Sequence, residues 1–463
     1  MIKKGLKKVH QEGLDILSSF KTKDSFTRNF SYLFSGRVIT TLLSFAVTPV
    51  LTRIYSPEAY GYFAFFNAFV MNFTVVSSLS YDSALVIVDK ERKFYNLFFA
   101  CILLSFLTSF LLLGGLLILY FSPTLRNFIN LDNDLPLSLI FLISFGGILY
   151  SLTQLQPKWN IRRKQFKHAA RVGVINQIIS RSTAIILGFF YGAPIYGLVF
   201  SELASKINAI TINTYKNLIK EWSLFTKAIS FKVVIEVLKE QLSYPKYILS
   251  GKYIGLISKQ IPIFVGAFFF NSEIIGNYGL AISMLILPMN ILSNTIQPVI
   301  LKKVNDSKKN NEDIRSFVIK ILNIILILAT PFFTLLFIFS EWVFPVIFGE
   351  QWILAGQFAK IISVYLIVDI IQVFSGSLYL VYEKQRQLFN THLSKFLLSV
   401  IFILPGIFYE NFNYVLIGFG FIYYIMGWYE VNKVLKYIGL RAGYYFSILT
   451  VYIGLMLAIY FVT

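Results

Sequence analysis

Cysteine occurs once in the chain, at Cys101, inside an apolar run, so no internal disulfide can form. Charge is scarce as well. Asp, Glu, Lys and Arg together make up 14% of the residues, where soluble domains carry about 25%. Histidine is rarer still, with His10, His168 and His392 scattered along the chain and all expected at one side of a membrane. No His-Glu-x-x-His zinc motif is present, and no Gly-x-x-x-x-Gly-Lys-Ser/Thr phosphate loop, so neither metalloprotease nor P-loop ATPase chemistry is written here. Met1 to Lys23 has no apolar h-region and does not read as a signal peptide. Ile2, Leu6, Val9, Leu14 and Leu17 recur among its lysines at roughly helical spacing. That fits a basic helix lying on the inner leaflet, or a charged tail. No catalytic residue, cofactor or metal is expected.

In place of charge there is apolar length. Hydrophobic residues reach 56% and aromatics 17%, and runs of roughly 20 apolar residues, enough for a bilayer core, recur to the C-terminus. Spans are expected near 33–54, 61–88, 95–121, 136–156, 170–191 and 194–214, then 246–270, 274–300, 317–340, 354–380, 392–409 and 413–432, with a further run at 443–461. The fold class is an all-α polytopic membrane protein with about 12–13 transmembrane helices. Short alternating strands, the mark of a β-barrel, are missing.

The net charge of +19 is sorted into alternate loops, which points to membrane topology and not to nucleic acid. With the N-terminus placed in the cytoplasm, 33 of the 42 Lys and Arg fall in inside segments, and only Arg53 and Arg126 fall in outside loops. The expected product is a multi-pass membrane protein with its N-terminus in the cytoplasm. Asp132-Asn133-Asp134 resembles a glycosyltransferase metal motif, but it sits in an outside loop and reads as a polar turn.

The chain is also written twice. Ser35-Gly36-Arg37 returns as Ser250-Gly251-Lys252, and Glu58-Ala59-Tyr60-Gly61 as Glu273-Ile274-Ile275-Gly276, both at an offset of 215. Lys164-Gln165 and Lys384-Gln385 follow at 220. Six spans separate the copies, an even number, so the repeats are parallel and related by a pseudo-twofold axis along the membrane normal. The expected organisation is a basic N-terminal segment (1–30), an N-lobe of six helices (31–214), a cytoplasmic linker (215–243), a C-lobe of six helices (244–435) and an extra C-terminal segment (436–463), with the two lobes around a central cavity. Proline kinks are expected at Pro49, Pro262 and Pro288.

Each charge within a span costs roughly 2.5–3.5 kcal/mol on insertion scales. The intramembrane charges are read as Arg37, Asp82, Arg181, Glu202, Lys206, Lys252, Lys259, Lys360, Asp369 and Lys395. Lys360 and Lys395 stand near span ends and can snorkel. Glu202 and Lys206 are four apart and can pair. Arg37 and Lys252 follow small Ser-Gly pairs that allow close helix approach, and read as an entrance funnel for an anionic head group. Lys259 and Arg181 lie deeper and are the expected holders of that group, since a cationic cleft suits phosphate or pyrophosphate. Asp82, Glu202 and Asp369 are ion-coupling candidates or partners of nearby cations.

Ser31-Tyr32-Leu33-Phe34-Ser35-Gly36-Arg37 and Pro49-Val50-Leu51-Thr52-Arg53-Ile54-Tyr55-Ser56-Pro57-Glu58-Ala59-Tyr60-Gly61 resemble the opening of the Wzx-like polysaccharide flippases, a branch of the multidrug/oligosaccharidyl-lipid/polysaccharide exporter superfamily. Phe348-Gly349-Glu350-Gln351-Trp352-Ile353-Leu354-Ala355-Gly356 is similar to that family's second-lobe Gly-x-x-Trp-x-x-Ala segment. The resemblance implies two six-helix lobes with a cation-lined cavity, and Arg37 and Lys252 among the cavity cations. It implies transfer of an undecaprenyl-pyrophosphate-linked oligosaccharide to the outer leaflet, with membrane lipids and a polysaccharide polymerase complex as further partners. A cation-coupled drug antiporter of the same superfamily suits a cavity richer in Lys and Arg poorly. A membrane polymerase or glycosyltransferase would carry a larger outer loop than the one of about 15 residues between Phe121 and Leu135.

Overall fold

The computed structural model describes residues 26–122, 137–310, 312–372, 375–441 and a few positions from 443 to 454. The basic segment up to residue 25, Arg126, Asp132-Asn133-Asp134 and most of the 443–461 run lie outside the described residues. Among the described residues every regular element is helical. The first half holds α1 (Phe26–Ile54), α2 (Pro57–Ser77), α3 (Glu91–Phe121), α4 (Leu137–Arg162), α5 (Phe166–Phe190) and α6 (Gly197–Asn213). Two short helices, α7 (Trp222–Ala228) and α8 (Phe231–Glu240), form the linker. The second half holds α9 (Leu249–Phe269), α10 (Ser272–Asn310), α11 (Arg315–Phe348), α12 (Ile353–Ile371), α13 (Ser375–Val381), α14 (Gln385–Phe402), α15 (Leu404–Phe408) and α16 (Phe412–Lys436).

Ten of the described helices are long and apolar enough to cross a membrane. Two more positions expected to span are weaker for visible reasons. The helix α6 has only 17 residues, and α9 carries Lys252, Lys259 and Gln260 along its length. The expected span 61–88 is not one helix. Its chain leaves the helix at Ser77, turns through Leu79 and Ser80 at positive φ, and continues as a 3-10 turn over Tyr81–Val86 that carries Asp82.

The repeat is visible in how the helices start. Ser56 caps α2 by accepting from the Ala59 amide at 3.4 Å, with Pro57 and Glu58 in the first turn. At the equivalent place Asn271 accepts from the Ile274 amide at 2.9 Å, with Glu273 following in α10. A capping side chain and an early acid satisfy free amides and favour the positive helix end, so both copies launch a helix at the same point.

Lipid gives apolar side chains no reason to prefer one another, so helices pack where small residues let backbones meet. Gly36 does this against α5: a Cβ there would stand 2.9 Å from the Ala170 Cβ. Its repeat partner Gly251 has nothing within 4 Å, so the close approach expected of both copies occurs in the first alone. The largest contact between the two halves joins α2 and α10, and it is closest at their starts. A Cβ on Gly61 would lie 1.8 Å from the Ser272 carbonyl oxygen, and one on Gly276 would lie 1.8 Å from that of Pro57. Residues 61 and 276, and residues 57 and 272, are again 215 apart, so the two contacts are mates under the pseudo-twofold.

Around this knot, at the lysine-poor end, further contacts tie the halves together. Arg53 reaches across to cap α11, donating through Nη1 to Ile347 O at 2.7 Å and through Nη2 to Val346 O at 3.2 Å. The Trp352 indole donates to Thr52 O at 2.9 Å, Gln351 donates to the same carbonyl, and Tyr60 meets the Trp352 ring edge-on at 4.9 Å. Gly349, at φ +112°, makes the sharp turn that presents both side chains. Arg53 and the Phe348–Gly356 segment, read from sequence as loop and motif, thus form one latch.

Candidate functional site

Most of the charges read as intramembrane gather into two clusters, one per half; Lys252 makes a contact between the halves, and Arg37 and Lys360 stand apart. In the second half, Lys259 pairs with Asp369 of α12 at 3.1 Å. Seven residues, about 10 Å of helix, separate it from Lys252 nearer the basic end. Lys259 keeps 58% of its side-chain surface accessible while Asp369 keeps 19%. They line a cavity of about 330 Å³ together with Gln372, His392, Lys395 and Glu430. Five helices contribute to it, namely α9, α10, α12, α14 and α16.

Lys395 is only 4% exposed, so it does not snorkel. Its helix α14 begins at Gln385, which places it well inside the lobe. Its ammonium lies 3.9 Å from the centre of the Tyr423 ring, a cation–π contact, and donates to Gln372 Oε1 at 3.5 Å. Glu430 is 3% exposed, and its Oε2 is buried without a hydrogen-bond partner. An isolated buried carboxylate is costly; here two lysines supply compensating charge. His392 also lines the cavity, and it fits because residue 255 is glycine: a Cβ there would stand 3.0 Å from Nδ1. It was expected at the cytoplasmic side with the other histidines, and the structure places it in the wall of this cavity. Among the described residues, no group of three or more His, Cys, Asp or Glu is placed to hold a metal ion.

In the first half, Glu202 pairs with Lys206 at 2.8 Å, as the four-residue spacing predicted. Ser180 donates to Glu202 Oε2 at 3.2 Å, and the Lys206 ammonium sits 4.4 Å from the centre of the Tyr150 ring. Arg181 is within electrostatic reach of both Glu202 and Tyr60, and its Nε is buried with no hydrogen-bond partner.

Lys252 crosses between the halves. It donates to Ser83 Oγ at 2.7 Å and shares a pocket of about 100 Å³ with Asp82. Asp82 itself accepts from Ser78 Oγ at 2.8 Å. Arg37 is exposed and forms no ion pair with any described residue. Lys360 pairs with Glu341 at 2.9 Å.

The sequence reading brought Lys259 and Asp369 forward separately and missed that they meet. It passed over Glu430, which lies within a turn of its expected span end and so reads as an interface charge. It dismissed Lys395 for the same reason. The signal that would have found both is their offset from the nearest helix cap, and α14 and α16 run seven and four residues past the expected span ends on that side.

Two helical halves locked across a pseudo-twofold have the fold of the transporters of the multidrug/oligosaccharidyl-lipid/polysaccharide exporter superfamily. The chain belongs to the polysaccharide biosynthesis protein family, whose sequence profile matches residues 50–357. It is similar to the teichuronic acid biosynthesis protein TuaB of Bacillus subtilis, 20% identical over 310 residues, a match that spans 66% of this chain and 61% of that protein. Among solved structures, the lipid II flippase MurJ in an inward closed conformation superposes with a TM-score of 0.62 at 15% identity, covering 94% of this chain and 92% of MurJ. An inward-facing multidrug resistance MATE transporter reaches the same TM-score at 11% identity over 91% and 97%. A transporter from Pyrococcus furiosus gives 0.56 at 13% over 89% and 95%.

Proposed function

We propose that the chain is a flippase of the bacterial plasma membrane, with its N-terminus and basic end in the cytoplasm. It carries a polyprenyl-pyrophosphate-linked oligosaccharide, an O-antigen, capsule or exopolysaccharide repeat unit, from the inner to the outer leaflet by alternating access. The observation that carries this reading is Lys259, a mid-helix cation that stays 58% accessible on the basic side of the latched end. Arg37 and Lys252 stand nearer the basic mouth and first meet the pyrophosphate. Lys259, with Arg181, holds it during transit while the polyprenyl tail stays in lipid. The protein is no enzyme on this reading, and its partners are the lipid-linked glycan, membrane lipids and a polysaccharide polymerase complex.

Energy enters through a titrating carboxylate. Asp369 is the first candidate, because the pyrophosphate competes with it for Lys259, and Glu430 stands in the same cavity. Glu202 is already neutralised by Lys206, and Asp82 is tied to Ser78, which makes both weaker coupling groups. The family membership and the teichuronic acid relative support a polysaccharide precursor. The MATE fold is equally close in shape, but exporters of cationic drugs gain nothing from an accessible lysine.

The test is leaflet accessibility of a labelled polyprenyl-pyrophosphate oligosaccharide in vesicles holding the purified protein. The wild type should expose the glycan on the far leaflet, and Arg181→Ala/Lys259→Ala should lose at least ten-fold of that rate while unfolding normally. Normal movement by the double variant, or efflux of a cationic dye with no glycan movement, would overturn the reading.

A further inference from the structure

The linker between the halves was expected to be a cytoplasmic connector, and its surface does not suit water. Ile219, Trp222, Leu224 and Phe231 are 57%, 53%, 62% and 72% exposed. Large apolar side chains that recur among lysines mark a membrane-surface element, and tryptophan favours the headgroup level.

The charges on the linker divide cleanly. Every acid is paired with a cation of the first half, although Glu236 and Glu240 stay about half exposed. Glu221 pairs with Arg163 at 2.7 Å, while Glu236 and Glu240 both pair with Lys93. Asn96 pins the joint between α7 and α8, donating to Ala228 O and accepting from the Ser230 amide, both at 2.8 Å. The bases Lys220, Lys227, Lys232 and Lys239 form no ion pair with any described residue. At its start, burial and the like charges of Lys220 and Arg171 push the Lys216 ammonium below its ordinary value, and no acid relieves them.

The position of the linker agrees. The helices α7 and α8 rest on the first turns of α3. Farther along, α3 shows Leu103, Phe106, Leu107 and Phe110 to its surroundings, the flank expected to face lipid. The linker surface continues that flank at the basic end.

We propose that the outward face of the linker, with Trp222, Leu224 and Phe231 among Lys220, Lys227, Lys232 and Lys239, docks on anionic phospholipid headgroups of the adjacent leaflet. Because the acids of the linker are locked onto the first half, this contact anchors that half. The linker itself leads into the second half through the π-helical turn Tyr244–Ile248, which runs into α9.

The full-length protein in phosphatidylcholine bilayers provides the test, with phospholipids brominated on their acyl chains as quenchers. The part of tryptophan fluorescence lost in Trp222→Phe reports the linker. Brominated phosphatidylglycerol should quench that part with roughly ten-fold preference over brominated phosphatidylcholine, since surface lysines draw anionic headgroups. Lys220→Gln/Lys227→Gln/Lys232→Gln/Lys239→Gln should reduce the preference to near parity. Raising salt should weaken it in the wild type, a measurement that stands if the quadruple variant does not fold. Quenching by neither lipid would place the linker in water and overturn the proposal, as in the case of a surface meant for a soluble partner. Equal quenching by both lipids would overturn it too, leaving apolar contact without headgroup selection.

Discussion

The two halves share a fold and a cap chemistry but treat charge in opposite ways. In the first half, Glu202 and Lys206 neutralise each other along one helix, with Ser180 and Arg181 close by. In the second, Lys259, Asp369, Lys395, Glu430 and His392 come from four different helices around a cavity, and one carboxylate oxygen stays unpartnered. A pair within one helix survives movement of its neighbours. A cluster spread over several helices changes its electrostatics whenever any of them shifts. Duplication supplied the same scaffold twice, and the second copy holds the larger set of charges whose balance depends on how its helices are arranged.

The sharpest way to break this contrast is Lys395→Leu. It leaves two buried acids with one accessible lysine, and removal of one partner from a buried ionic site costs roughly 3–5 kcal/mol. Unfolding of the purified protein in detergent should show that loss, and Lys395→Leu/Glu430→Leu should recover most of it. Next comes coupling. Under an imposed pH gradient, Glu430→Gln should lose most of the acceleration of glycan movement, about ten-fold, while Glu202→Gln keeps it. Equal behaviour of the two variants would erase the distinction between the halves. A smaller effect is expected at Gly255→Ala, where the new methyl crowds His392. Overpacking of this kind costs about 1 kcal/mol, visible in the same unfolding measurement. Smallest is Lys206→Met, expected to change stability by less than about 1 kcal/mol, because pairs within one helix contribute little and Ser180 and Arg181 remain beside Glu202.

The sequence carried the large-scale order well. Apolar length and the 215-residue offset are written along the chain one span at a time, and the long helices and the paired glycine contacts keep them. The Glu202–Lys206 pair was legible for the same reason, being local. What escaped was whatever depends on which helices meet. Lys259 and Asp369 are 110 residues apart, and no spacing rule joins them. Lys395 and Glu430 resembled surface charges because span ends set from hydropathy alone stop short of where the helices stop. Gly251 matched Gly36 in sequence and not in contact, since no neighbour comes near it.

The two glycine contacts at the lysine-poor end have a kinetic consequence. Gly61 against Ser272 and Gly276 against Pro57 share one rotation axis and equal clearances. On the proposed alternating access, this end opens only when the halves part here, and two contacts of equal closeness then have to give way together. Side chains added at either glycine would keep the backbones apart and leave this end without its closest seam.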